Sequence, residues 1–258
     1  MTINILQAVP ALSDNYIWLL ADPSRRALLV DPGAAAPALE ALRSESLDLA
    51  AILLTHHHYD HIDGVSDLIA AFPNAKVIGG HDPRFGDVEI RVGEGDRVDI
   101  PGTEFSFDVI EVPGHTTSHV AYIGHGLLFC GDTLFSAGCG RMFEGTPEQM
   151  LASLDRLADL PGETRVCCGH EYTLANLAFA KGIEPGNEAI TAREKAVREL
   201  RAAGKPSLPS LISNERACNP FLRVDQADVI AALRLPDSSR SQRFAELRQR
   251  KDDFKVAD

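Results

Sequence analysis

The chain has 258 residues, 45% of them hydrophobic and 24% charged, which are the proportions of a globular protein large enough to bury a core without disulfide staples. Its 25 Lys and Arg against 37 Asp and Glu leave a formal charge of −12, so nucleic acid and anionic lipid are poor partners. No segment reaches the roughly 20 consecutive apolar residues of a membrane helix, Met1 to Pro10 lacks an export signal's basic start and apolar stretch, and the five cysteines are odd in number; together these predict buried, reduced thiols in a cytoplasmic protein.

Short extended runs fill the first two thirds. Asn15 to Leu20 and Ala27 to Asp31 are joined by the turn formers Asp22, Pro23 and Ser24 and predict a hairpin. The small residues Ala34 to Ala38 have a helix behind them. Ala50 to Leu54 predicts a strand, and Val65, Leu68, Ile69 and Phe72 then recur at helical spacing as far as Pro73. Lys76 to Ile78, Phe105 to Val112, Val120 to Ile123 and Leu127 to Cys130 follow as strands. Thr146, Pro147, Glu148 and Gln149 spell an N-cap, a first-turn proline and a capping-box Gln, and Leu151, Leu154 and Leu157 continue that helix toward Pro161 and Gly162. Arg165 to Cys168 is a last strand. After about Tyr172 the apolar spacing turns helical, at Leu174, Leu177 and Ala178, at Ile190, Val197 and Leu200, at Val229, Ile230 and Leu233, and at Phe244 and Leu247. A loop carrying three prolines is expected from Lys205 to Leu222. Two domains are expected, 1–172 and an all-α 173–258.

The decisive stretch is His56-His57-His58-Tyr59-Asp60-His61, directly after the strand Ala50 to Leu54. Four histidines and an aspartate in six positions are hard to justify as packing, because each imidazole needs hydrogen-bond partners and a carboxylate resists lone burial. A divalent cation resolves both. In an extended loop alternate side chains share a face, so His56 and His58 can grip one ion while Asp60 and His61 turn toward a second. Three more strands run into a glycine and then a metal-binding residue: Gly114-His115, Gly131-Asp132 and Gly169-His170. The set predicts two ions, one on His56, His58 and His115, the other on Asp60, His61 and His170, with Asp132 between them. These donors suit zinc, iron or manganese, and no Cys stands among them to argue for a thiolate structural site. His57 and His119 read as supports of the ligands, and His81 and His125 as ordinary loop residues. Cys139 reads as packing between Gly138 and Gly140, since no base stands near it.

The HxHxDH cluster, PGHT at Pro113, GDT around Asp132 and CGHE around His170 resemble the metallo-β-lactamase superfamily. TLFSAGCGRMFEG from Thr133, CCGHEYTLAN from Cys167, the LPS and NPFLR segments, and LRQRKDDF from Leu247 resemble, more narrowly, the glyoxalase II (hydroxyacylglutathione hydrolase) family over essentially the whole chain. The resemblance implies an α+β protein, an αββα sandwich catalytic domain (1–172) followed by a smaller helical substrate-binding domain (173–258). It implies a thioester hydrolase that converts S-D-lactoylglutathione to D-lactate and glutathione in methylglyoxal degradation, acting as a monomer. The expected nucleophile is a metal-bridging hydroxide held by Asp132, His56, His58, Asp60 and His61, since paired cations acidify a shared water. The acyl carbonyl is expected at the ion of His56, His58 and His115. A thiolate departs readily, so no spare general acid is needed. Glutathione is anionic and the protein acidic, so a local cationic patch is required. By resemblance Arg141, Arg248 and Lys251 hold the tripeptide's glycine end and Tyr172 donates a hydroxyl to its backbone. Phe143 stands where many relatives have Tyr, and Ser118 where they have Gly. The alternatives are a persulfide dioxygenase with a single iron, or a non-catalytic module that captures glutathione conjugates.

Overall fold

A computed structural model describes residues 3–255. The chain divides into two compact units, one of the residues up to Glu111 with Ser118–Gly131, the other of Val112–Thr117 with the residues from Asp132 onward.

The first unit contains strands β1 (Ile5–Ala11), β2 (Asn15–Ala21), β3 (Arg26–Val30), β4 (Asp48–Leu54), β5 (Lys76–Gly80), β6 (Ile90–Val92), β7 (Arg97–Asp99), β8 (Ser106–Glu111), β9 (Val120–Gly124) and β10 (Leu127–Gly131). Its helices are α1 (Ala35–Ser44), α2 (Tyr59–Ile62) and α3 (Val65–Ala71). β1 to β6 lie in sequence order in one sheet, antiparallel as far as β3 and parallel from there to β6. β10, β9, β8 and β7 lie side by side and antiparallel. The hairpin expected at Asp22 is present, and Asp22 Oδ1 closes it by accepting from the Ser24 amide at 2.9 Å and the Arg26 amide at 3.0 Å. β2 is buried along its whole length because both of its faces are covered. Ile17, Leu19 and Ala21 pack with Leu42 of α1 and Leu68 of α3, while Trp18, on the opposite face, meets Phe129 of β10 at 6.4 Å. Helices, one sheet and then the other are thus stacked in layers within this unit, and β4 runs through its middle toward the His-rich segment.

The second unit contains β11 (Leu134–Phe135), β12 (Gly138–Cys139), β13 (Arg165–Cys168) and β14 (Ser210–Leu211), with α4 (Pro147–Ala158), α5 (Thr173–Ile183), α6 (Glu188–Ala202), α7 (Ile212–Cys218), α8 (Ala227–Leu233) and α9 (Arg240–Asp253). The capping box forms at Thr146, where the side chain accepts from the Gln149 amide and Gln149 reciprocates. The stretch from Lys205 to Leu222 is not the loop expected from its prolines. Ser210 pairs with Val166 of β13, and Ile212–Cys218 is helical. Glu215 hides that helix from an apolar-periodicity reading: fully buried, it accepts from the Ala137 amide at 2.7 Å, Ser136 Oγ at 3.0 Å and Asn219 Nδ2 at 3.3 Å. These bonds set the turn between β11 and β12.

Candidate metal centre

Within the first unit the chain leaves β4 extended, and His56 and His58 share a face, with His56 Nε2 3.1 Å from His58 Nδ1. The extended path ends there. Tyr59–Ile62 is one helical turn, which carries Asp60 and His61 instead of a continuing extended loop, with His61 Nε2 3.6 Å from Asp60 Oδ2 and the His56 and His61 rings 4.1 Å apart. The backbone of that turn fits only because residue 33 is glycine. A Cβ there would lie 1.7 Å from the Asp60 carbonyl oxygen. Asn15 Nδ2 donates to Asp60 at both the backbone oxygen, 3.2 Å, and Oδ2, 3.0 Å.

Asp31, at the end of β3, decides which ring nitrogens face inward. Its Oδ1 accepts from the Thr55 amide at 2.8 Å, and its Oδ2 from Thr55 Oγ1 at 2.7 Å and His61 Nδ1 at 3.1 Å. With the Thr55 hydroxyl proton committed to the carboxylate, its oxygen accepts from His56 Nδ1 at 3.0 Å. Both rings therefore carry their proton on Nδ1 and present a bare Nε2, which is the tautomer a metal ligand needs. Asp31, His56 and His61 place a carboxylate oxygen and two ring nitrogens within 4.8 Å of one another. Nothing around Asp31 in sequence marks this role.

The supporting histidines behave differently from one another. His119 stacks on His56 at 4.7 Å and 14°. His57 Nδ1 lies 3.4 Å from Asp82 Oδ2, and Asp82 also takes Arg84 Nε at 2.8 Å and the Ser118 hydroxyl. The Arg84 bonds hold the Asp82 carboxyl far below the usual carboxylate range. Ser118 thus anchors its own turn through Asp82. His81 is exposed. His125 is more than a loop residue, for its Nε2 accepts from the Ser106 amide at 3.1 Å, its ring meets Phe105 and Phe107 edge-on, and burial lowers its pKa.

The second unit holds the other predicted ligands. His115 Nε2 and His170 Nε2 approach the same oxygen, Asp132 Oδ2, at 3.6 and 3.3 Å. His115 Nδ1 donates to the Arg141 carbonyl at 2.7 Å, which again leaves Nε2 bare. Gly131 precedes Asp132 with φ +45°, and a Cβ there would fall 2.2 Å from Thr55 Oγ1. Tyr172 stacks on His170 at 4.7 Å and 4°, and Phe143, 64% exposed, meets His115 edge-on at 5.3 Å.

His115, Asp132, Phe143 and Tyr172 line a cavity of about 420 Å³ together with Arg141, Arg248 and Lys251. Arg248 and Lys251 therefore share a face of α9, as their spacing predicts. Arg248 is buried. Its Nη1 donates to the Cys139 carbonyl at 2.7 Å and its guanidinium lies over the Phe221 ring at 5.1 Å. Lys251 Nζ sits 5.7 and 5.6 Å from the Phe179 and Phe254 ring centres. Burial first, then the Arg248 and Arg141 charges, lower its ammonium pKa. Burial pushes the Cys139 thiol up to about 11, which removes it as a nucleophile at neutral pH. Asn176 and Asp252, which lie in the CCGHEYTLAN and LRQRKDDF stretches without a role expected of them, also line the cavity. By unit, then, His56, His58, Asp60 and His61 stand in the first and His115, Asp132 and His170 in the second, each set with lone pairs and carboxylate oxygens turned toward one another. That donor chemistry fits divalent cations.

Residues 12–170 match the metallo-beta-lactamase superfamily and residues 171–254 the family described as hydroxyacylglutathione hydrolase C-terminus. A hydroxyacylglutathione hydrolase of Xanthomonas campestris pv. campestris is 52% identical over 255 residues, 97% of this chain and 99% of that protein. Among solved structures, ETHE1 from Myxococcus xanthus is 25% identical with TM-score 0.66, over 96% of this chain and 98% of that one. TTHA1623, in a di-iron-bound form, is 29% identical with TM-score 0.53, over 66% of this chain and 92% of that one.

Proposed function

The chain belongs to the hydroxyacylglutathione hydrolase family of the metallo-β-lactamase superfamily, and from that premise we propose that it hydrolyses S-(2-hydroxyacyl)glutathiones, S-D-lactoylglutathione first, to the 2-hydroxy acid and glutathione. One observation carries the reading: a single cavity joins His115 and Asp132 to three cationic side chains, Arg141, Arg248 and Lys251. A binding pocket for an anionic tripeptide thus opens onto residues suited to a metal.

His56, His58 and His115 would hold one cation, Asp60, His61 and His170 the other, with Asp132 shared, and zinc is the proposed metal ahead of iron or manganese. Bound there, two cations supply an acidified water near neutral pH and polarise the acyl carbonyl. The protein's own groups do the rest. Asp31 and Thr55 keep the protons of His61 and His56 on Nδ1, and the Arg141 carbonyl does the same for His115. Arg141 and Lys251 offer charge to the glycine carboxylate, Arg248 adds to the same field, and the Tyr172 hydroxyl donates to the tripeptide backbone. Phe143 closes the cavity wall without a hydroxyl. The glutathione thiolate leaves unaided, because its pKa lies far below that of an amine or alcohol. The family boundary at 170 and 171 supports reading 1–172 as catalytic and 173–258 as substrate-binding.

The match of 171–254 to the hydrolase family disfavours the persulfide dioxygenase alternative. We place the protein in the cytoplasm as a monomer that does not bind nucleic acid, supported by five free buried thiols and the net charge of −12. Among the described residues no helix is long and apolar enough to cross a membrane. The test is hydrolysis of S-D-lactoylglutathione before and after chelation, with the metal content of the saturated protein counted. Activity that survives complete metal removal, or one ion per chain at saturation, overturns the reading.

A further inference from the structure

The two arginines of the cavity are held very differently. Arg248 on α9 is 5% exposed and fixed by the Cys139 carbonyl and the Phe221 ring. Arg141, in the segment after β12, keeps 60% of its side chain exposed. A guanidinium that exposed loses rotamer entropy on gripping a ligand unless the protein already holds it. Asp252 connects the two. Its Oδ1 lies 3.0 Å from Arg141 Nε and accepts from Arg248 Nη2 at 3.1 Å, one helical turn away on α9. The contact with Arg141 uses the Nε edge. It leaves the terminal Nη pair, the fork that meets a carboxylate through two parallel hydrogen bonds, for a ligand.

Asp252 acts in two opposed ways. Its negative charge sits among Arg141, Arg248 and Lys251 and weakens their pull on an anion, yet at 32% exposure that repulsion is screened by solvent and salt. Its contact with Arg141 is electrostatic too, but it also sets where that guanidinium sits, beside the buried Arg248. The carboxylate also opposes the loss of charge on Lys251, which burial and then the Arg248 and Arg141 charges promote. We propose that Asp252 is a positioning residue for carboxylate recognition in this cavity: it braces the exposed Arg141 against the buried Arg248, so that a ligand carboxylate meets a prepared guanidinium fork. The proposal rests on the glutathione-thioester reading above.

The experiment measures S-methylglutathione binding by calorimetry and S-D-lactoylglutathione hydrolysis with the metal-loaded enzyme. Asp252→Ala is expected to raise the S-methylglutathione Kd and the thioester KM together, about three- to tenfold, with kcat within about twofold. Asp252→Asn keeps an oxygen that both guanidiniums can reach and recovers most of that loss. Arg141→Ala weakens binding in the wild-type background but adds little to Asp252→Ala, because the two changes remove one device. Tighter or unchanged binding by both Asp252 variants overturns the proposal, as do additive losses in the double variant. If the wild-type enzyme neither binds S-methylglutathione nor cleaves the thioester, the hydrolase reading falls instead.

Discussion

Replacing Asp31 by Asn isolates the tautomer control of the candidate metal ligands. Asp31 is buried, and the substitution keeps its shape while exchanging one carboxylate oxygen for an NH₂ group. Whichever way the amide turns, three donors now face one acceptor: the Thr55 amide at 2.8 Å, Thr55 Oγ1 at 2.7 Å and His61 Nδ1 at 3.1 Å. With oxygen kept toward the Thr55 amide, NH₂ meets the other two. His61 must then bare Nδ1 and protonate Nε2, and the Thr55 hydroxyl must turn its proton toward His56, which moves that ring's proton to Nε2 as well. Both nitrogens meant for metal become N–H groups. Loss of an outer hydrogen-bond partner typically costs 10- to 100-fold in metal affinity, or about 1.4 to 2.8 kcal/mol, and two rings are affected here, so the upper end is expected. Zinc competition against a chromophoric chelator reads the affinity, and circular dichroism with a melting curve checks the fold. An Asp31→Asn protein that stays folded and holds zinc within twofold of wild type refutes the tautomer argument.

Lys251→Ala is expected to raise the KM for S-D-lactoylglutathione about tenfold with little change in kcat, since the role proposed for the lysine is contact with the tripeptide alone; a fall confined to kcat contradicts that role. Phe143→Tyr adds a hydroxyl to the cavity wall and is expected to lower KM by two- to tenfold, the effect of one hydrogen bond of about 0.5 to 1.5 kcal/mol; an unchanged or higher KM shows that the tripeptide lies elsewhere. Asp82 supplies a pH test. Because Arg84 depresses its pKa in the folded protein, Asp82 adds stability that is whole above the ordinary value of 3.8 and fades as pH falls below it. In urea denaturation the gap between wild type and Asp82→Asn should therefore narrow as pH falls from about 4 to about 2, and a gap that stays constant over that range removes the linkage.

The features legible in the sequence share one property, that their residues lie close together along the chain. His56, His58, Asp60 and His61 fall within six positions, and His115, Asp132 and His170 each follow a strand and a glycine, so local spacing exposes them. The capping box at Thr146 and the hairpin at Asp22 are local for the same reason, and their hydrogen bonds are those the residues predict. The α+β composition follows from period two giving way to period 3.6 near Tyr172.

What the sequence could not disclose depends on partners far apart in it. Asp31 and His61 are 30 positions apart, Asn15 and Asp60 45, and Arg248 and the Cys139 carbonyl 109. Such pairs leave no periodic trace, because a carboxylate or amide at the end of a strand looks the same whether it faces water or a histidine. The helical turn at Tyr59–Ile62 and the strand and helix between Ser210 and Cys218 were hidden likewise, the first by its shortness, the second by prolines and by a buried Glu215 where an apolar residue would announce a helix. Chain order alone therefore named the candidate metal ligands and the chemistry they suit. Only folding, which closes long loops to bring donors and acceptors within about 3 Å, decided which nitrogen His56, His61 and His115 offer and which arginine is buried.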